Sequence, residues 1–384
     1  MTMLEGIRIV DMTSVIFGPY ATQMLADLGA EVIKIETGRG DTPRFMGMYR
    51  KTPAMGGTHM TVNRGKKSIL LNLKKPEDSE VLRGLLRDAD IFVHNVRAKG
   101  MARLGFGYED VRAINPEIIY AHFSGFGENG PWAGRPAYDD VIQAATGTTS
   151  LLSRTDGDHR PRYFPSLIAD KVAGTYGAQA LLAALIHKLR TGKGQHVEVP
   201  MLECFASFMM TEHLQDSVFV PPIGPPGYPR QLDPDRQPFP TSDGHLSIVP
   251  YTDDKIVRIL EILGDPDFAK APPFDTPMGR FQNMTAIYKR IGELTPAKST
   301  AEWQAILEAE DYPVVVAADI DDVFDNEHLQ AVNFFRDREH PSEGTIREMR
   351  PPVRYSADPD RVLGFAPLLG EHDAEIRALA KGQG

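Results

Sequence analysis

The chain has 384 residues, 42% of them hydrophobic, with 52 acidic side chains against 42 basic ones and a formal charge of −10. That length holds two domains with cores of their own. The acidic balance disfavours nucleic acid or an anionic membrane as the main partner and leaves room for a small anionic ligand only where basic residues gather locally.

The first half alternates β-rich runs with helical patterns. "RIVDM" (8–12) precedes "GPYATQMLADLG" (18–29), where Tyr20, Met24, Leu25 and Leu28 fall at helical spacing. "EVIKIE" (31–36) and "SILLNL" (68–73) read as strands, and "PEDSEVLRGLLRDA" (76–89) as an amphipathic helix with proline in its first turn. "IFVHNV" (91–96) and "IIYAHFSGF" (118–126) continue the series. Strands separated by helices predict βαβ units, a mostly parallel sheet and ligands at the strands' carboxyl ends.

Within "FPSLIADKVAGTYGAQALLAALIHKL" (164–189) the residues from Ala178 onward predict an apolar helix, and Asp170 stands near its start among Ala169, Val172, Ala173 and Gly174. The run 220–240, "VPPIGPPGYPRQLDPDRQPFP", is too rich in proline and glycine for a core element and reads as a linker. A smaller α+β segment follows to about residue 330: a hairpin-like "TSDGHLSIVPY", then helices in "KIVRILEIL", "TAIYKRIGEL" and "AEWQAILEAE".

The single cysteine, Cys204, permits no internal disulfide, and "MTMLEGIRIVDM" is too short and polar for a signal peptide. No apolar run approaches the roughly 18 residues of a membrane span. A cytoplasmic protein is expected.

"GFGENG" (125–130) matches G-x-G-x-x-G, but Pro131 and Trp132 follow at once and no apolar helix opens, so dinucleotide binding is not expected there. The residues suit a glycine-rich loop that passes close to a ligand. Arg64, Lys66 and Lys67 in "NRGKKS" stand just before a strand, and Arg97, Lys99 and Arg103 just beyond one. Each cluster reads either as a solvated loop or as a local cradle for phosphates. The eleven histidines show no metal-ligand spacing, and no serine-hydrolase elbow occurs. What remains is carboxylates: Asp139 and Asp140 in "RPAYDDVIQAATG", and Asp170. For Asp140 a helix-capping or solvated role is the default; Asp170 reads either as a cap or, given its apolar neighbours, as a partly buried carboxylate that demands a partner or a function.

Five stretches in this order, "LEGIRIVDMTSVIFGPYATQMLADLGAEVIKIE", "NRGKKSILLNLKKPE", "SGFGENGPWAGRPAYDDVIQAATG", "TGKGQHVEVPM" and "NEHLQAVNFF", resemble the family III CoA-transferases (the CaiB/BaiF family). That group includes formyl-CoA transferase, carnitine CoA-transferase and, as a divergent branch, α-methylacyl-CoA racemase. The resemblance implies that Asp170 is a nucleophile attacking an acyl-CoA thioester, with Tyr138 and Asp139 as a tyrosine–acid pair beside it. It implies CoA contacts at Leu71, Asn72, Asn95, Val96, Arg97 and Arg103, with Lys66 in the basic cluster. The substrates would be an acyl-CoA and a small carboxylic acid, with no tightly bound cofactor and no metal.

The same resemblance implies a Rossmann-like large domain with a parallel sheet (1–222), a smaller α+β domain with linkers (223–332) and a return to the large domain (333–384). Two such chains would interlock as rings in a homodimer. Three departures stand out. Tyr138 replaces the racemase branch's histidine, which favours transfer over racemisation, the alternative activity. Ile16 and "IVPYTDDKI" replace a glutamine and a glycine run of the formyl-CoA branch, which argues against oxalate. Thr37 replaces an arginine that contacts CoA in some members, and Arg39 is the candidate substitute.

Overall fold

A computed structural model describes residues 2–359 and 361–382. Six parallel strands, β1 (Arg8–Met12), β2 (Glu31–Glu36), β3 (Lys66–Leu70), β4 (Ile91–His94), β5 (Ile119–Ser124) and β6 (Gln195–Pro200), form one sheet in the order β3-β2-β1-β4-β5-β6. This is the Rossmann order, with its switch point between β1 and β4. Ile9, Val10, Ile33, Phe92, Val93 and Ile119 are fully buried, as expected for strands covered on both faces.

Alternate residues along each strand feed two cores. Ile9, Ile91, Val93, Ile119 and Ala121 pack with helices Phe17–Asp27 and Ile168–Thr191. Val10, Ile33, Phe92 and Tyr120 pack with helices Pro76–Arg87 and Asp373–Ala380. The last helix seats tightly: a Cβ on Gly84 would lie 2.2 Å from the Ala380 carbonyl oxygen. Arg377 ties it further to Asp78 at 2.9 Å and to the Leu70 carbonyl at 3.0 Å.

The chain divides into two compact units. The first comprises the residues up to Thr148, then Tyr163–Thr211, then Leu329 onward; the second comprises Thr149–Arg162 and Glu212–His328. The chain thus leaves the large unit and returns to it, but the boundaries fall at Thr211/Glu212 and His328/Leu329 rather than after 222 and 332.

The second unit holds a three-stranded antiparallel sheet of β7 (Phe239–Pro240), β8 (His245–Ile248) and β9 (Val314–Val316). Helices Asp253–Ile262, Met284–Leu294 and Thr300–Ala309 contribute Ile259, Leu260, Ile287, Trp303 and Leu307 to its core. The returning segment of the first unit adds an antiparallel pair, β10 (Phe335–His340) and β11 (Gly344–Met349). Among the described residues no helix is long and apolar enough to cross a membrane.

Candidate active site

The loop Thr13–Ile16 leaves β1 at the switch point and leads into helix Phe17–Asp27, and nearly every backbone group in it is held. Thr13 N–H donates to Asp11 Oδ1 at 2.9 Å, and the Thr13 carbonyl accepts from Lys34 Nζ at 3.0 Å. Ser14 N–H donates to Asn95 Oδ1 at 3.0 Å, while Asn95 Nδ2 returns a bond to the Ser14 carbonyl at 2.8 Å. Val15 N–H donates to Asp41 Oδ1 at 2.9 Å. Val15 has φ +68°, a left-handed conformation that is strained for a β-branched residue and persists only where its surroundings over-determine it.

Those surroundings are a buried ionic cluster. Lys34 Nζ lies 2.8 Å from Asp41 Oδ2, and Arg44 grips Glu36 in a two-pronged pair whose Nη2–Oε2 distance is 2.6 Å. Lys66 Nζ lies 3.1 Å from Asp11. Burial would push the Asp11 carboxyl up, but Lys66, Lys34 and the hydroxyls of Thr13 and Thr22 outweigh it and hold the pKa at about 2. Burial likewise opposes the charge on Lys34, yet Asp41, Asp11 and Glu36 together raise its pKa.

Asp170 lies in the first turn of helix Ile168–Thr191 and is only 5% exposed. Gly174, one turn further on, packs so closely that a Cβ there would sit 2.9 Å from the Phe17 carbonyl oxygen. The start of the Asp170 helix is thereby held against the helix that the Thr13–Ile16 loop opens. Asp139 settles which carboxylate is the cap. It begins helix Asp139–Ala145, and its Oδ1 accepts the Asp170 N–H at 3.0 Å, meeting one of that helix's free N-terminal donors. Its Oδ2 accepts from Gln143 Nε2 at 2.5 Å, and Gln143 Oε1 in turn accepts the Phe164 N–H at 2.8 Å.

The Asp170 carboxylate itself receives no hydrogen bond from the described residues; burial, then the charge of Asp139, pushes its pKa up to about 7. A poorly solvated, unpaired carboxylate of raised basicity is equipped for nucleophilic attack. Tyr138, the residue before Asp139, is 64% exposed, and among the described residues its ring has no hydrogen-bond or aromatic partner.

The residues expected to meet CoA divide into two groups. Asn95, Val96 and Arg97 follow the carboxyl end of β4 at the switch point, and Arg103 closes the short helix Ala98–Arg103 that comes next. Arg97 and Arg103 are exposed, as is Arg39 in the turn beyond β2. The rim of the sheet where ligands of such folds lie therefore carries three solvent-facing guanidiniums. Lys66 is a correction to the basic-loop reading. It opens β3 at the strand's amino end, and its ammonium is spent on Asp11, the Pro19 carbonyl, Thr22 and Asn63, all within 3.1 Å. Its pKa falls to about 8, mainly through burial. Leu71 is 1% exposed and its side chain belongs to the core, while Asn72 beside it is exposed.

The glycine-rich loop after β5 is no pyrophosphate cradle. Gly127 N–H and Glu128 N–H already donate to the carboxylates of Glu203 and Glu198 at 2.9 and 2.6 Å, and the next helix begins only at Asp139. Ile16, where the formyl-CoA branch has glutamine, is a buried hydrocarbon at the start of helix Phe17–Asp27.

The pattern of CoA-transferase family III matches residues 4–373. Succinate–glutarate CoA-transferase of Agrobacterium fabrum is 31% identical over 384 residues, spanning 98% of this chain and 95% of its own. A formyl-CoA:oxalate CoA-transferase of Streptomyces coelicolor is also 31% identical, over 97% of this chain and 94% of its own. A solved CaiB/BaiF family protein from Brucella suis superposes with a TM-score of 0.83 at 30% identity, covering 99% of both chains. The chain belongs to CoA-transferase family III. It is a CoA-transferase, and the substrates of such enzymes are CoA thioesters.

Proposed function

We propose that the protein moves CoA from a donor acyl-CoA to an acceptor carboxylic acid with Asp170 as the covalent nucleophile. The observation that carries this reading is the Asp170 carboxylate, buried, without a hydrogen-bond donor and raised to a pKa of about 7. The ionised Asp170 attacks the thioester carbonyl; the C–S bond breaks, leaving an aspartyl–acyl anhydride and CoA thiolate. The thiolate then attacks the aspartyl carbonyl and expels the donor acid as its carboxylate, leaving a β-aspartyl-CoA thioester. The acceptor carboxylate runs the same two steps in reverse and departs as its CoA ester.

Burial of Asp170 withholds water from the anhydride. Asp139 caps the helix and lifts the basicity of Asp170, while Asn95, Arg97, Arg103 and Arg39 supply the polar and cationic rim for the CoA nucleotide.

Exposed apolar side chains support a homodimer of interlocked chains: Ile186, Leu189 and Phe208 on the first unit, and Phe219, Val220 and Ile223 on the second. The single cysteine suits a reducing cytoplasm. Exchange of isotopically labelled acid into a CoA ester tests the activity. The wild type exchanges and Asp170→Ala does not; uptake of solvent deuterium at the α-carbon without any acceptor acid would instead indicate a racemase.

A further inference from the structure

The second unit carries a cationic cavity that the Asp170 chemistry does not use. It has a volume of about 170 Å³, and Arg230, Arg236, Gln237 and Ser247 supply its polar lining. Its apolar lining comes from Phe239, Ile248 and Tyr288, all of them buried. Arg230 is fixed in place: its Nε donates to Tyr288 Oη at 3.0 Å, and its guanidinium lies over the Tyr251 ring at 5.1 Å. Among the described residues its two terminal nitrogens have no hydrogen-bond acceptor. Arg236 donates one bond, to Gln231 Oε1 at 2.8 Å.

Among the described residues no carboxylate forms an ion pair with either arginine. Five of the unit's six other arginines do have such a partner, Arg154 being the exception among the described residues. Arg258, Arg280 and Arg290 are tied to Glu310, Asp253 and Asp265 at 2.7, 2.5 and 2.6 Å. The nearby Asp233 turns its oxygens to other donors, accepting from Thr285 Oγ1 at 2.6 Å and from Asp235 N–H at 2.9 Å. In a chain of net charge −10, two guanidiniums without an ion-pair partner over an apolar floor form a local anion site. Guanidinium recognises carboxylate through paired, planar hydrogen bonds.

We propose that this cavity binds a small dicarboxylic acid. One carboxylate meets the free edge of Arg230 and the other meets Arg236, with the methylene chain on Phe239 and Ile248. The cavity is smaller than the roughly 300 Å³ at which pockets for drug-sized ligands begin, which suits an acid of about four to six carbons.

Calorimetric titration of the full-length protein with glutarate, without CoA, tests this, with butyrate and sulfate as comparison ligands. Glutarate is expected to bind at least about tenfold more tightly than butyrate or sulfate, and Arg230→Gln and Arg236→Gln each to weaken it at least about tenfold, one lost charged hydrogen bond being worth roughly that. Arg236→Gln removes only the bond to Gln231, so it carries the test if loss of the Tyr288 anchor unfolds Arg230→Gln. Glutarate binding that equals butyrate or sulfate, that is absent, or that survives both substitutions would overturn the proposal. The titration is repeated on Asp170→Ala, where glutarate binding is expected to persist; it stands or falls apart from the transfer chemistry.

Discussion

Replacing Asp170 with asparagine should remove a penalty that the folded protein carries at neutral pH, so that the variant's stability relative to wild type rises with pH in a defined way. Asp170 titrates at about 7 in the folded chain against 3.8 for a free side chain. An acid whose folded pKa lies above its unfolded value binds more protons folded than unfolded between the two. The folded state is therefore undiminished below about pH 3.8 and loses stability as pH rises toward 7. At about 1.4 kcal/mol per pKa unit, the full penalty is about 4 kcal/mol. The asparagine side chain cannot ionise and escapes it, whatever constant offset its amide introduces.

Urea denaturation of wild type and Asp170→Asn, followed at half-unit steps of pH, reads the difference directly. The variant's advantage should grow by a little under ~1.4 kcal/mol per pH unit between pH 5 and 6, more slowly toward pH 7, and level off above pH 8. A difference that stays constant over that range would mean that Asp170 is solvated or paired, and the argument for its reactivity would fail with it.

Asp139→Asn keeps an acceptor for the Asp170 N–H but removes a charge that raises the Asp170 pKa, so the acidic limb of the kcat/KM profile should move to lower pH; Asp139→Ala also loses the cap, costing about 1–2 kcal/mol in denaturation. An unmoved acidic limb would separate the two aspartates. Arg103→Ala should raise KM for the CoA ester by roughly 10- to 100-fold, the value of one charged hydrogen bond, with kcat nearly unchanged in steady-state assays. Lys34→Met strands the buried Asp41 carboxylate beneath the Val15 turn, and thermal or urea unfolding should show a loss of roughly 3–5 kcal/mol. A near-neutral result would mean that the cluster relaxes without Lys34.

The sheet was legible because its strands leave short runs rich in β-branched and aromatic residues between helical patterns, as in "IFVHNV" and "EVIKIE". Asp170 was legible as an anomaly, a carboxylate among small apolar residues. Which carboxylate caps its helix was not, because the capping contact comes from Asp139, 31 residues earlier. Lys66 misled for the opposite reason. Adjacency to Arg64 and Lys67 suggested a shared loop, whereas the strand that begins at Lys66 turns its side chain inward to Asp11. The Lys34–Asp41 clamp left one local trace, a lysine inside an otherwise apolar strand. Its target, the Val15 N–H, is set by the strand order and not by spacing. The short β9, Val314–Val316, and its pairing with β8 were likewise invisible, since three valines carry no period of their own.

The central claim is that acyl groups pass through the Asp170 carboxylate. Incubating the protein with a panel of acyl-CoAs, quenching with hydroxylamine and reading the Asp170 peptide by mass spectrometry tests it most directly. The account predicts an aspartyl hydroxamate at Asp170 with at least one donor, and none in Asp170→Ala. Labelled acid exchanging into CoA ester at full rate with no hydroxamate at Asp170 would contradict it.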